Sequence, residues 1–217
     1  MKTAAFIFVL TMSHFLVFGQ QTFLQDLNGR PIFENSATDV EGSPYLRETW
    51  ISGVVKAKSN RKNYDIPKLR YDAHKDELEY DQAGSLFRFS AENVAEFTLI
   101  EGTFRAGFPA VGSLTPKNFY QVLYDGEKIK LLKRIYVGIQ TEKPYNSATI
   151  IKRFVKEESL YLLKNNVEMR RFKKDKKSFF EIITDKQPEM EAFMKEQKIK
   201  FSKEDDLIRL LEKYESI

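Results

Sequence analysis

The sequence predicts an α+β fold, in which a mostly antiparallel sheet carries two short C-terminal helices packed on it. Short runs of alternating apolar and polar residues, separated by turn formers, extend from residue 45 to residue 183. A period of two is typical of antiparallel strands that are buried on one face. After residue 185 the apolar residues recur every three or four positions, as in amphipathic helices. The total of about ten short strands fits a sandwich, a curled sheet or an open barrel.

The chain begins with a segment typical of secretory signal peptides. Residues 1–19 combine a basic start with an apolar run over 4–18, and Val17 and Gly19 fit a cleavage site before Gln20. A membrane anchor needs about 20 consecutive apolar residues, more than this run provides. We therefore expect an exported protein that is periplasmic, associated with the outer membrane or secreted. Once the leader is removed, no transmembrane span is expected.

The rest of the chain divides into an arm and a single domain. Residues 20–44 are polar and rich in turn formers, which indicates an extended N-terminal arm. Residues 45–217 then form one β-rich domain that includes the C-terminal helices.

The predicted strands follow the alternating runs in order. They are 50–56, 68–72, 77–80, 86–89, 96–101, the hairpin 119–139, 150–155, 160–163, 167–172 and 178–183. In the hairpin over 68–80, the pattern makes Leu69 and Tyr71 face Leu78 and Tyr80 across a polar turn.

The hairpin over 119–139 has the strongest turn signal. Asp125 followed by Gly126 favours a two-residue turn. Counting outward from that turn pairs Val122 with Ile129, and by the same register Tyr120 with Leu131.

The two helices are expected at about 185–197 and 203–215. Asp185 can cap the first helix, and Pro188 is tolerated in its first turn. The second helix starts with a capping-box-like segment at Ser202. Its apolar stripe consists of Leu207, Leu210, Leu211 and Tyr214. Because the sheet is the only apolar partner available, both helices should pack on it.

The composition excludes several kinds of chemistry. The 217-residue chain contains no cysteine and only two histidines, one of them in the leader. Disulfides, thiolate zinc sites, cysteine nucleophiles and histidine clusters are therefore excluded. Phosphate-binding glycine loops and a Gly-x-Ser-x-Gly nucleophile motif are also absent. The sequence thus predicts no cofactor and no metal, and it names no catalytic residue.

One histidine lies among carboxylates. His74 is flanked by Asp72, Asp76 and Glu77, and neighbouring acids would favour the proton-binding form that acid–base catalysis uses. The competing interpretation is a hairpin turn, where polar residues solvate the chain and cap its backbone. We favour the turn.

Two regions are candidates for partner binding. Residues 102–118 form the longest stretch without periodicity, as binding loops often do, and its candidate contacts are Phe104, Arg105 and Phe108. The alternative is a loop that its two phenylalanines tuck against the sheet.

The second region is basic. Residues 152–177 contain ten basic and four acidic residues, a net charge of +6 in a chain of net charge +4. Its candidate contacts are Arg170, Arg171, Lys173 and Lys174. Such a segment fits an anionic surface, but it equally fits a solvated hairpin beside an acidic helix.

Several motifs resemble a known group of proteins. The chain has a GSPYL motif at 42–46, a P-x-LRYD…DE-x-E hairpin at 67–79 and a helix pair over 185–214. In these it resembles a group of secreted proteins of Bacteroidetes-type bacteria that has no assigned activity. The resemblance covers most of the mature chain and implies a periplasmic or outer-membrane-associated location. None of its motifs is catalytic.

Taken together, these features favour an exported interaction or structural module without catalytic activity. It would dock an envelope protein or an anionic surface, not nucleic acid, and its oligomeric state is left open. Two alternatives remain: a hydrolase that uses two carboxylates on envelope polysaccharide, and binding of anionic lipid through residues 152–177.

Overall fold

A computed structural model describes residues 29–32, 39–89, 91–143 and 150–217. These residues form one twelve-stranded sheet and three helices. The strands are β1 Arg30–Pro31, β2 Val40–Glu41, β3 Ile51–Ala57, β4 Asn63–Asp72, β5 Glu77–Gln82, β6 Ser85–Phe89, β7 Val94–Leu99, β8 Gly102–Arg105, β9 Tyr120–Asp125, β10 Ile129–Glu142, β11 Ile151–Lys164 and β12 Glu168–Phe172. The helices are α1 Lys176–Phe180, α2 Gln187–Glu196 and α3 Glu204–Glu215.

The sheet is mostly antiparallel, curled and unclosed. Its strand order is β1-β6-β5-β4-β3-β7-β8-β9-β10-β11-β12, and β2 pairs with β11 in parallel. The prediction of an antiparallel, β-rich fold with two C-terminal helices is confirmed. The predicted leader at 1–19 lies outside the described residues and stays a prediction.

Aromatic side chains fill the inside of the curl. Phe97 stacks on Phe104 with ring centroids 4.9 Å apart, and Tyr71 and Phe119 pack around them. At one end of the curl the turn after β4 meets β10, where the Val137 N–H donates to the carbonyl oxygen of residue 73 at 3.2 Å. The sheet therefore bends around a core of large rings.

The half of the sheet formed by β9 to β12 is covered on both faces. One face packs against the helices through Ile129, Leu131, Leu160, Leu162, Phe172, Leu207, Leu210, Leu211 and Tyr214, among others. The opposite face packs against the loop of residues 106–118 through Phe108, Tyr120, Leu132, Tyr161, Leu163 and Met169. Because the loop covers apolar side chains of the sheet, it is part of the packing of this half.

The predicted register holds in one hairpin and fails in another. Leu69 pairs with Tyr80 and Tyr71 with Leu78, so this prediction is confirmed.

The register predicted for residues 119–139 is wrong. Leu132, not Ile129, pairs with Val122, and a bulge lies between Leu131 and Leu132. The connecting loop has three residues, 126–128, and the Glu215 carboxylate accepts hydrogen bonds from the backbone N–H groups of residues 127 and 128 at 3.0 and 2.9 Å. A residue at the far end of the chain therefore takes part in this turn.

The strand predicted at 178–183 is also wrong, because residues 176–180 form α1. The Asp175 side chain caps this helix by accepting a hydrogen bond from the Ser178 N–H at 2.6 Å. The strands predicted at 150–155 and 160–163 are one continuous strand, β11.

The two C-terminal helices are confirmed to within two residues at each end. Neither predicted cap forms, because Lys186 and Lys203 occupy the cap positions without a side-chain hydrogen bond. Asp185 instead accepts hydrogen bonds from Lys164 and Tyr214 at 2.6 and 3.0 Å. In the described ranges, no helix has the length and apolar character needed to span a bilayer.

Candidate functional site

A cleft of about 450 Å³ opens beside the turn that joins β3 and β4. It is lined by Lys56, Lys58, Arg61, Val94, Ala95, Glu96, Arg105, Ala106 and Gly107. Four of these nine residues are basic and one is acidic, so the lining has a net charge of +3. We call it the basic cleft.

Three neighbouring strands place the floor of the cleft. Lys56 on β3 pairs with Glu96 on β7, and Glu96 pairs with Arg105 on β8. Directly opposed residues of antiparallel strands project on the same face, so these side chains form one row across the sheet. Lys58 and Arg61 come from the turn over 58–62, and the Lys58 N–H bonds the carbonyl oxygen of residue 93 at 2.7 Å. That bond holds the turn against the start of β7.

The cations of the cleft differ in their partners. Arg105 is neutralised, because it bonds Glu96 at 2.9 Å and Asp125 at 2.8 Å. Although burial lowers the pKa of Arg105, its hydrogen bonds to Asp125 and Glu96 outweigh that effect and raise it. Lys56, Lys58 and Arg61 form no ion pair with any described residue. The charge of Lys58 does reach Glu92, whose pKa is lowered first by its hydrogen bond from Lys117 and, to a smaller extent, by Lys58. Since none of the three is ion-paired, their charge is available to a ligand.

The basic segment 152–177 is arranged differently, because carboxylates pair with many of its cations. The pairs are Lys152–Asp39, Arg153–Glu41, Arg153–Glu142, Lys164–Asp185, Arg170–Glu168 and Lys176–Glu191. Five of these six acids lie outside the segment in sequence. Hydrogen bonds from the lysines help to hold the pKa of Asp39 and Asp185 below the usual range. The net charge of +6 is thus largely compensated in the fold.

The four candidate contacts of this segment lie on β12 and just after it. Arg170 bonds Glu168 at 2.7 Å, and Arg171 donates to the Ser159 hydroxyl at 3.1 Å. Lys173 and Lys174 are exposed beyond the end of the strand. Their role in partner binding stays a prediction.

The candidate contacts of the 102–118 stretch separate into two groups. Phe104 is only 1% exposed, inside the curl, and Phe108 is 7% exposed and packs edge-on against Tyr120 with ring centroids 5.7 Å apart. The prediction that the loop begins at residue 102 is wrong, because residues 102–105 form β8 and pair with β7 and β9, so Phe104 lies on a strand. Phe108 faces inward, the arrangement expected of a loop tucked against the sheet. Arg105 alone of the three reaches the basic cleft. Partner binding by this loop stays a prediction.

The residues around His74 serve the hairpin turn. Asp72 accepts hydrogen bonds from the backbone N–H groups of His74 and Lys75 at 3.0 and 2.9 Å. The His74 ring bonds the Val137 carbonyl oxygen at 2.8 Å. Burial raises the pKa of Asp72 and of Glu77. These contacts favour the turn interpretation over acid–base catalysis.

Asp76 has a role that the sequence does not reveal. It forms a nearly buried ion pair with Arg134 at 3.2 Å, with 11% and 7% of the two side chains exposed. It also accepts hydrogen bonds from the Tyr71 hydroxyl and from the Asn118 amide, the latter at 2.7 Å. Because residue 118 ends the long loop, Asp76 anchors that loop to the sheet.

A second charged cluster lies on the β4–β6 face. The Arg70 guanidinium stacks between Tyr45 and Trp50, 3.6 and 4.1 Å from their ring centroids, and bonds Glu79 at 3.0 Å. Glu79 also pairs with Arg88 at 3.4 Å. Its carboxylate is therefore held by two cations, as a structural ion pair would be. Trp50 is only partly buried.

Sequence reasoning missed the cations at 56, 58 and 61. Residues 56–62 contain four basic residues and no acid, whereas the 152–177 segment contains four acids. An acid-free basic run at a hairpin turn was the available signal. The run forms part of a cleft only because β7 and β8 lie beside it, and the sequence of the run does not show that arrangement.

Comparison with protein-family models finds no match, and searches of curated proteins and of solved structures find no significantly similar chain. Within the residues that the structure describes, no group of three or more histidine and acidic side chains is arranged to hold a metal ion.

Proposed function

We propose that the protein is an exported binding module without catalytic activity, and that its basic cleft binds anionic groups of an envelope partner. The observation that carries this proposal is the convergence of Lys56, Lys58 and Arg61 on one cleft, where none of the three forms an ion pair with a described residue. Export is supported by the leader pattern at residues 1–19.

The charge and shape of the cleft support an anionic ligand. A concave site lined by one sign of charge concentrates the field and raises the local concentration of oppositely charged groups. Its volume of about 450 Å³ falls within the range of small-ligand sites. Unpaired cations at such a site cost little when empty, since water solvates them, and they gain a partner when an anion binds.

Binding fits the site better than hydrolysis. Two acids must flank the bond in the usual mechanism of glycoside cleavage, and Glu96 is the single acid in the cleft lining. Asp72 and Glu79 elsewhere are held by backbone N–H groups and by arginines. A carboxylate-dependent hydrolase stays the alternative, and lipid binding through 152–177 the second.

The test compares two triple charge reversals with inorganic polyphosphate as the probe. K56E/K58E/R61E changes the cleft, and K173E/K174E/K177E makes the same change of net charge in the other basic region. We expect the cleft variant to lose at least about tenfold in affinity, with a slope of log K against log salt concentration shallower by about two. The control variant should stay within about twofold of the unmodified protein.

Circular dichroism and thermal unfolding establish that both variants fold. Equal losses in the two variants, or a larger loss in K173E/K174E/K177E, would contradict the proposal and favour the 152–177 segment. Turnover of an envelope polysaccharide by the unmodified protein would favour the hydrolase.

A further inference from the structure

Glu96 is an acid at the centre of a site for anions. It lies in the row between Lys56 and Arg105, and its Oε2 atom accepts a hydrogen bond from Arg105 Nε at 2.9 Å. Its other oxygen, Oε1, receives no hydrogen bond from any described residue, and 23% of the side chain is exposed. The cleft therefore offers a ligand one carboxylate oxygen beside several cations.

The need to neutralise Arg105 does not explain why Glu96 lies in this cleft. Arg105 already bonds Asp125 at 2.8 Å, outside the cleft lining. The carboxylate of Glu96, which lies inside the cleft, repels the negative charge of an anionic ligand. Glu96 favours binding only if the ligand also supplies a hydrogen-bond donor to Oε1, because bonds to ionised acceptors are the stronger kind.

The remaining lining restricts the ligand further. Apart from its charged residues the lining consists of Val94, Ala95, Ala106 and Gly107, with no aromatic ring. Nucleobases in single strands, and neutral sugars, gain much of their affinity by stacking on aromatic side chains. Binding in this cleft must instead rely on charge and hydrogen bonds.

We infer that the ligand of the basic cleft is an acidic glycan, a sugar chain whose carboxylate, sulfate or phosphate groups face Lys56, Lys58 and Arg61 while a hydroxyl donates to Glu96. This inference rests on the proposed function and adds the ligand class. A glycan carries both the charges and the hydroxyl donors that this lining pairs with. A phosphatidylglycerol headgroup carries them too, but on a membrane surface, whereas this site is a cleft that admits a free chain.

The test measures Glu96→Ala against two probes, an oligogalacturonate and inorganic polyphosphate of matched charge. Polyphosphate has no hydroxyl groups along its chain, so removal of the acid should tighten its binding by about twofold. The oligogalacturonate loses a hydrogen bond, so its affinity should fall by about fivefold. The two probes should therefore respond with opposite signs.

Two further variants complete the design. Glu96→Gln keeps an acceptor oxygen without the charge, and should restore part of the oligogalacturonate affinity. Asp125→Asn removes an acid near the cleft but outside its lining, and should tighten both probes equally. Thermal unfolding of each variant monitors folding.

Tighter or unchanged binding of both probes by Glu96→Ala would overturn the glycan assignment while leaving the anion site in place. Stronger binding to phosphatidylglycerol vesicles than to oligogalacturonate, insensitive to Glu96→Ala, would overturn it in favour of a membrane surface. Failure of the proposed function gives a different result, since K56E/K58E/R61E would then bind both probes as the unmodified protein does.

Discussion

The two basic regions of the molecule differ in where their acids lie. Residues 152–177 carry ten basic residues, but acids from other parts of the chain, such as Asp39 and Asp185, pair with several of them. The basic cleft has four cations, and no described carboxylate pairs with three of them. The segment 152–177 also keeps cations without an ion pair among the described residues, namely Arg171, Lys173, Lys174 and Lys177. What distinguishes the cleft is that its cations converge on one concave site. What attracts an anion is the charge left after folding.

The ion pairs that hold the two regions in place also differ in burial. Breaking them gives the largest effect that we expect, a change in the free energy of unfolding. The wall of the cleft at 106–107 belongs to the loop that Asp76 anchors through a nearly buried ion pair with Arg134. Asp76→Ala leaves a buried cation without its partner, so we expect a loss of about 3–5 kcal/mol in the free energy of unfolding. Urea denaturation measures it.

The matched control is Asp185→Ala, which breaks the Lys164–Asp185 pair of the other region, where 51% of the Asp185 side chain is exposed. Its expected cost is about 1 kcal/mol, because exposed pairs contribute little and the hydrogen bond from Tyr214 is also lost. Equal losses in the free energy of unfolding for the two variants would contradict the expected effect of burial on these two ion pairs.

The parts of the fold that the sequence predicts are those set by local pattern. Alternation placed Leu69 opposite Tyr80, and the three-to-four spacing placed Leu207 and Tyr214 on the buried face of α3. The apolar run at 178–183 predicts a strand where the structure has α1, because a helix of five residues is too short to show a three-to-four repeat.

The rest depends on contacts that are distant in sequence. The register of β9 and β10 accompanies a turn held by Glu215, and Asp76 meets Arg134 only after the sheet curls. Of the cleft residues, the sequence predicts Arg105 as a binding residue. It does not predict the cations at 56, 58 and 61, because their site exists only where β3, β7 and β8 lie together.

Removing the acids that pair with residues 152–177 should make this segment bind anions as we propose for the basic cleft. The triple variant E41Q/E142Q/D185N removes acids that neutralise Arg153 and Lys164. If these acids are what keeps residues 152–177 from binding anions, the variant should bind polyphosphate about threefold more tightly than the unmodified protein at low salt. Binding is measured by titration calorimetry. An unchanged affinity would contradict the claim that these ion pairs prevent residues 152–177 from binding anions.

The smallest expected effect concerns pH. Asp185 has a lowered pKa in the folded state, mainly through its hydrogen bond from Lys164, so its ionised form stabilises the fold above its unfolded pKa. That stability is lost as the pH falls through the folded pKa. Burial raises the pKa of Asp72, so its ionised form costs stability at neutral pH, and the cost disappears below the unfolded pKa of 3.8.

Asp185→Asn and Asp72→Asn should therefore change the free energy of unfolding in opposite directions at pH 7. The amide oxygen introduced by Asp72→Asn can still accept the backbone hydrogen bonds of the turn, so the sign should follow the charge. Chemical denaturation from pH 3 to pH 7 should show both differences shrinking as the pH falls. Differences of the same sign at pH 7 would contradict the assigned causes.

The most direct test is the acetylation rate of individual lysines, followed by mass spectrometry with and without polyphosphate. If the basic cleft is the anion site, acetylation of Lys56 and Lys58 slows when polyphosphate is added, while acetylation of Lys173 and Lys174 keeps its rate. Protection of Lys173 and Lys174 with unchanged rates at Lys56 and Lys58 would contradict the account.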